Sequence, residues 1–276
     1  MKIQAEIRRK RWMKLGEALP VAFLVLVQAP IWVSGQSNVE TIIQKSVEAN
    51  NRDWDADPEF DYTERDQEKD GIKTYEVTMP YGSPYRLVVA VNGHPLNPSK
   101  KAEEQKKFEE ALAERRNETP EMRAARIAKF QAERKRDHTM LDQLTKAFDF
   151  RLIGNQRLKG HSVYVLCAQP RKDYRPPNRD SQVLTGMEGK LWIDRNSFQW
   201  VRVEARVMHQ VRIEGFVAEV EPGTQFELEK TPVSADIWLS QHFAMKSNAK
   251  VMLFWPHRTQ EDITYSNYRK SSGATQ

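Results

Sequence analysis

From residue 60 onward most of the chain alternates apolar and polar residues with a period of two, and only one long stretch breaks that rhythm. Alternation of this kind marks strands with one buried and one wetted face. It predicts strands at 60–66, 72–79, 84–92, 148–157, 161–169, 188–194, 198–208, 211–220, 224–230, 236–247, 249–255 and 261–269. Ahead of them Val39, Ile42, Ile43 and Val47 recur at helical spacing and predict a leading amphipathic helix. The interruption covers 97–148, where Asn97-Pro98 and Thr119-Pro120 each read as a cap followed by proline at the first helical position. Two helices with a break near Asn117 are therefore expected, the inner end of the second docked on the body and the outer part projecting. Across Gly215 the apolar parity slips from Val211 and Ile213 to Phe216, Ala218 and Val220, which predicts a bulge.

Sorting each strand by parity gives an inward set of Tyr85, Leu87, Val89, Val91, Leu191, Ile193, Val201, Val203, Phe226, Leu228, Leu239, Phe243, Met245, Val251, Leu253 and Trp255. Arg86, Glu227, Glu229, Lys246 and Lys250 then face outward, as do Trp192 and Trp200 with Asp194, Arg202, Glu204 and Arg206. The two tryptophans are expected to meet as a cross-strand aromatic pair on the outer face. About a dozen one-sided strands make an α+β, mostly antiparallel fold in which a single sheet curves around either a packed core or a cavity.

Charge sharpens this picture at two places. The formal net charge is +5, yet residues 1–35 alone carry six Lys or Arg against two acids, so the remainder is nearly neutral and a general nucleic-acid binder is excluded. Those residues also run in the order basic start, apolar run from Ala18 to Val33 and small-residue exit at Ser34-Gly35, which predicts a signal peptide cleaved near Gly35. Gln36 stands where a lipoprotein needs cysteine, so the mature chain, one domain over 36–276, is expected in the periplasm without a lipid or transmembrane anchor. Between Ser99 and Asp137 there are 12 basic and 9 acidic residues, interleaved as on a solvated, salt-bridged helix surface.

Candidate chemistry is sparse. The single Cys167 alternates with Val163 and Val165 and reads as a buried small hydrophobe, not a nucleophile. The six histidines lack metal-ligand spacing, there is no phosphate loop or nucleophile elbow, and Glu219/Glu221 and Asp61/Glu64/Asp66 read as solvated acids. No cofactor, metal or catalytic residue is called for, and the chain is not expected to be an enzyme.

Gly189-Lys190-Leu191-Trp192-Ile193-Asp194 followed by Trp200-Val201-Arg202-Val203-Glu204, together with Asp236-Ile237-Trp238-Leu239 and Thr264-Tyr265-Ser266-Asn267-Tyr268-Arg269, resembles the LolA/LolB-like superfamily. More narrowly it is similar to bacterial outer-membrane lipoprotein-sorting proteins. That resemblance implies a curved, half-open barrel covered by helices, with the 97–148 segment as a charged helical insertion. It also implies an exported carrier that holds a lipid, or the acyl chains of a lipoprotein, against its concave apolar face. The expected lining is Leu87, Val89, Val91, Leu191, Ile193, Val201, Val203, Phe226, Leu228, Phe243, Met245 and Leu253. The alternatives are an envelope interaction protein with a packed core whose charged helices dock a protein partner, and a hydrolase with a His–acid pair in a cleft.

Overall fold

A computed structural model describes residues 33–68, 71–213, 218–251 and 255–271. The expected leader up to residue 32, the parity slip at Gly215 and the lining residue Leu253 lie outside the described residues. The leading helix, α1 (Val33–Ala56), turns Val39, Ile42, Ile43, Ser46, Ala49, Asn50 and Asp53 to the interior, a stripe that is apolar at one end and polar at the other.

The strands β1 (Phe60–Glu68), β2 (Gly71–Thr78), β3 (Tyr85–Val91) and the two-residue β4 (His94–Pro95) come next. Helices α2 (Pro98–Asn117) and α3 (Pro120–Ala147) separate them from β5 (Phe148–Leu158), β6 (His161–Pro170), β7 (Met187–Asp194) and β8 (Trp200–Val207). The chain closes with β9 (Val211–Ile213), β10 (Ala218–Val220), β11 (Gln225–Pro232), β12 (Trp238–Val251) and β13 (Trp255–Lys270). All pair antiparallel in one sheet of order β4-β3-β2-β1-β13-β12-β11-β8-β7-β6-β5, with β9 and β10 attached beside β12. The edge strands β4 and β5 do not meet, so the curved sheet stays open. Asn92-Gly93 and Lys159-Gly160 turn the chain in tight hairpins because each pair holds positive φ at both positions.

The helical pair carries the chain from one free edge of the sheet to the other. Asn97 and Thr119 cap α2 and α3 as expected, their side chains accepting from Lys100 N at 2.9 Å and Met122 N at 3.3 Å. The outer end does not project. Arg115 donates to the carbonyls of Pro80, Ser83 and Pro84 at 2.8–3.0 Å, and Arg126 grips Glu118 at 2.6 and 2.7 Å while reaching Ser83 Oγ and Tyr81 O. The interleaved charges thus conceal a clamp of two arginines on the 80–84 loop. Arg126→Ala is expected to cost about 2 kcal/mol of local stability. Faster amide exchange in 115–126 and 81–84 would show it; unchanged exchange would mean the clamp holds nothing.

Three strand readings change. In place of one strand over 211–220, Val211–Ile213 and Ala218–Val220 are two separate strands, β9 and β10, paired antiparallel. The 236–247 and 249–255 segments join in one long β12, and β13 begins at Trp255.

The face assignment fails at two bulges, because an extra residue inverts parity beyond it. In β8, Ile193 faces Trp200 and Trp192 faces Arg202, leaving Val201 as the extra residue. Trp200 therefore enters the main core with Leu191, Ile193, Val203 and Val207, while Trp192 and Val201 join Val163, Val165 and Trp238 on the reverse side. The tryptophans do not pair; they lie on opposite faces. In β3, Val89 is the extra residue, Val88 faces Tyr75 and Leu87 faces Glu76, so Leu87 leaves the inner face and Arg86, stacked 3.9 Å over Tyr75, joins it.

Candidate functional site

The inner face can be followed across the ladder from Leu191 to Val203, Leu228, Phe243 and Ile263. Its two halves differ in cover. Under α1, Leu191, Ile193 and Val203 are packed against Val39, Ile42 and Ile43 in the main core. Beyond that helix, Phe226, Leu228, Phe243, Met245 and Ile263 are only partly buried. Val91 shares this face opposite Lys73 at the far side of the sheet, distant in the strand order from Leu191. Of the expected lining, then, Phe226, Leu228, Phe243 and Met245 form one continuous, incompletely covered patch. Leu191, Ile193 and Val203 form its sealed continuation, whereas Leu87 and Val201 belong to the other face.

Two polar clusters bound this surface. At one side Asp53 Oδ1 accepts from Gln199 Nε2 and from Trp238 N, both at 2.9 Å, while Lys230 binds Asp53 Oδ2 and donates to Asn50 Oδ1 at 2.9 Å. This network ties α1 to β8, β11 and β12 inside the fold. Burial pushes the Lys230 ammonium below its ordinary value against the pull of Asp53, and burial pushes the neighbouring Asp57 carboxyl up. At the other side Tyr62 meets Tyr265 edge to face and Tyr268 at a tilt, at 5.7 and 5.5 Å between ring centroids, and the Tyr268 hydroxyl donates to Ser240 O at 2.6 Å. Burial, with Asp57 and Glu64 close by, holds these phenols far above their usual value, so they stay neutral donors.

Nothing in the strand pattern pointed to the tyrosine set, whose members come from opposite ends of the chain. The Asp53 network did leave a trace: Ser46, Asn50 and Asp53 continue the apolar stripe of α1 at helical spacing, which polar residues on a solvated face would not do.

The outer face of the same strands carries a trough of 520 Å³ between β6 and β13, with Lys190, Glu204, Arg206, Glu227, Lys246 and Asp262 among its walls. Close by, Glu227, Glu229 and His242 bring ligand atoms within 4.8 Å of one another. Arg202 lies 2.9 Å from Glu227, and Lys159 lies 2.6 Å from Glu229, so both carboxylates already have cationic partners that a metal ion would have to displace.

No protein-family model and no curated protein matches the chain. Solved structures similar to it include an outer membrane lipoprotein-sorting protein domain from Vibrio parahaemolyticus, at 10% identity and TM-score 0.33 over 87% of this chain and 96% of that one. A LolA superfamily protein from Nitrosomonas europaea is similar at 11% identity and TM-score 0.31, over 83% of this chain and 92% of that one. MucB in complex with MucA is similar at 10% identity and TM-score 0.24, over 84% of this chain and 99% of that one. Among the described residues no helix is long and apolar enough to cross a membrane.

Proposed function

We propose that the protein is an exported, non-catalytic binder of the cell envelope that holds an acyl chain, from a lipid or a lipidated protein, on the uncovered half of its inner face. The observation that carries this reading is the partly buried patch of Phe226, Leu228, Phe243 and Met245, continuous with the sealed core yet beyond the stripe of α1. An acyl chain requires only such a continuous apolar surface, and each buried CH₂ stabilises the complex by about 0.8 kcal/mol. The neutral hydroxyls of Tyr62 and Tyr265 at the margin are donors for an ester or amide linkage of the cargo. Helix α2, which buries none of its residues, is the surface that remains for a protein partner.

The test is titration of the delipidated protein with a fluorescent fatty-acyl probe. Phe243→Asp places a charge on the patch and is expected to weaken binding roughly a hundredfold. Met245→Asp at the less crowded end should follow in the same direction, and circular dichroism would show that both variants are folded. A delipidated protein that binds no acyl probe refutes the proposal.

A further inference from the structure

We infer that the free edge of β5 joins a second copy of this chain, strand to strand, in a closed two-fold dimer. Among the described residues β5 pairs with β6 alone, so the other side of this 11-residue strand is an open sheet edge. An edge of this kind offers unpaired backbone groups to any strand whose register fits.

Which groups it offers follows from the start of the ladder. Arg171 N donates to Ala147 O at 2.8 Å, one step before the pair of Phe148 with Pro170. Residues of an antiparallel ladder alternate between bonding the partner strand and facing away from it. Asp149 and Arg151 therefore bond β6, while Phe148, Phe150 and Leu152 turn their N–H and C=O groups to the free edge. The Phe148 N–H is already taken by Leu144 O at the end of α3. What remains is self-complementary about Phe150. With the two-fold axis there, the two Phe150 residues exchange N–H···O bonds, and each Leu152 N–H meets the Phe148 carbonyl of the other copy.

The side chains fit the same register. On the outer face Asp149 falls opposite Arg151 of the other copy, twice by symmetry, at positions where cross-strand Cα atoms approach to about 4.5 Å. Both residues are exposed. Asp149 lies 2.8 Å from Arg171 in a pair open to water, and among the described residues Arg151 forms no ion pair. On the inner face Phe150 meets Phe150 and Phe148 meets Leu152, extending the apolar cluster that these residues already join. The neighbouring registers fail: centring on Asp149 sets two acids face to face, and centring on Arg151 sets two arginines face to face. The run is also bounded, because α3 ends at Ala147 and Ile153 is the extra residue of a bulge between Leu152 and Gly154. One short self-complementary edge per copy closes the assembly at two. Opposite residues of the pairing share a face, so both inner faces open to the same side of the joined sheet.

The test is sedimentation of the protein and of two charge reversals. The parent is expected to sediment as a dimer. Arg151→Asp sets acid against acid at both symmetric positions and Asp149→Arg sets base against base, so each is expected to weaken self-association roughly thirtyfold. Mixed in equal amounts, the two variants regain opposite charges at both positions and should form a heterodimer as tight as the parent, which also shows that each is folded. The double variant D149R/R151D should dimerise with itself, and Phe243→Asp on the inner patch should leave the dimer unchanged. A parent that stays monomeric up to about 0.1 mM, single reversals that dimerise like the parent, or a mixture that forms no heterodimer overturns the inference.

Discussion

Asp53→Ala is expected to destabilise the protein by about 3–5 kcal/mol, the cost of leaving one member of a buried ion pair without its partner. Both carboxylate oxygens are used: one accepts from Gln199 and the Trp238 amide, the other faces Lys230. Removing the carboxylate strands the Lys230 ammonium, whose side chain is 8% exposed, in an interior that already disfavours its charge. It also leaves the Trp238 amide and the Gln199 side chain with one acceptor fewer. Urea unfolding would read the loss directly. Asp53→Ala combined with Lys230→Met should recover much of it, because the uncompensated charge is gone. A single variant within 1 kcal/mol of the parent, on the scale of an exposed pair, would show that the network does not hold α1 in place.

The second large effect is expected at Trp200. Its side chain is 4% exposed and packs among Leu191, Ile193 and Val203, so Trp200→Ala opens a large cavity and should cost about 3–5 kcal/mol. Its indole N–H is buried without a hydrogen-bond partner among the described residues, so the contribution is packing alone. Trp200→Phe is accordingly expected to cost much less, under about 2 kcal/mol. Equal losses for the two variants, measured by denaturant midpoint, would contradict the assignment of Trp200 to the core. Trp192→Ala acts on the small outer cluster with Val163, Val165, Val201 and Trp238. The acyl probe should therefore bind that variant as it binds the parent, since the cluster faces away from the inner patch.

Most of the candidate patch was legible from alternation. Phe226, Leu228, Phe243 and Met245 keep their period without interruption, and the ladder sets them side by side as that period requires. What alternation could not supply was their cover. Nothing in the strand pattern says that α1 ends its apolar stripe over Leu191 and Val203 and turns polar at Asn50 and Asp53. The errors at Leu87 and Val201 have a different origin. A bulge adds one residue to one strand, and the pattern of either strand alone still reads as a regular run; only the register of both reveals the extra residue. The charged helices misled in a third way, since an arginine that clamps backbone carbonyls is spelled no differently from one that meets water.

Local preferences alone account for strand conformation over most of the alternating stretches and for two helices capped by Asn97 and Thr119 with proline at their starts. These follow from steric and hydrogen-bonding preferences that act within a few residues. Long-range packing sets which half of the inner face is sealed, carries the helical pair between the two free edges, and brings Asp53 to Lys230 across 177 residues of chain. Such pairings depend on strand register and on which charges lose their water together, and neither quantity is defined until the whole sheet has formed against its helix.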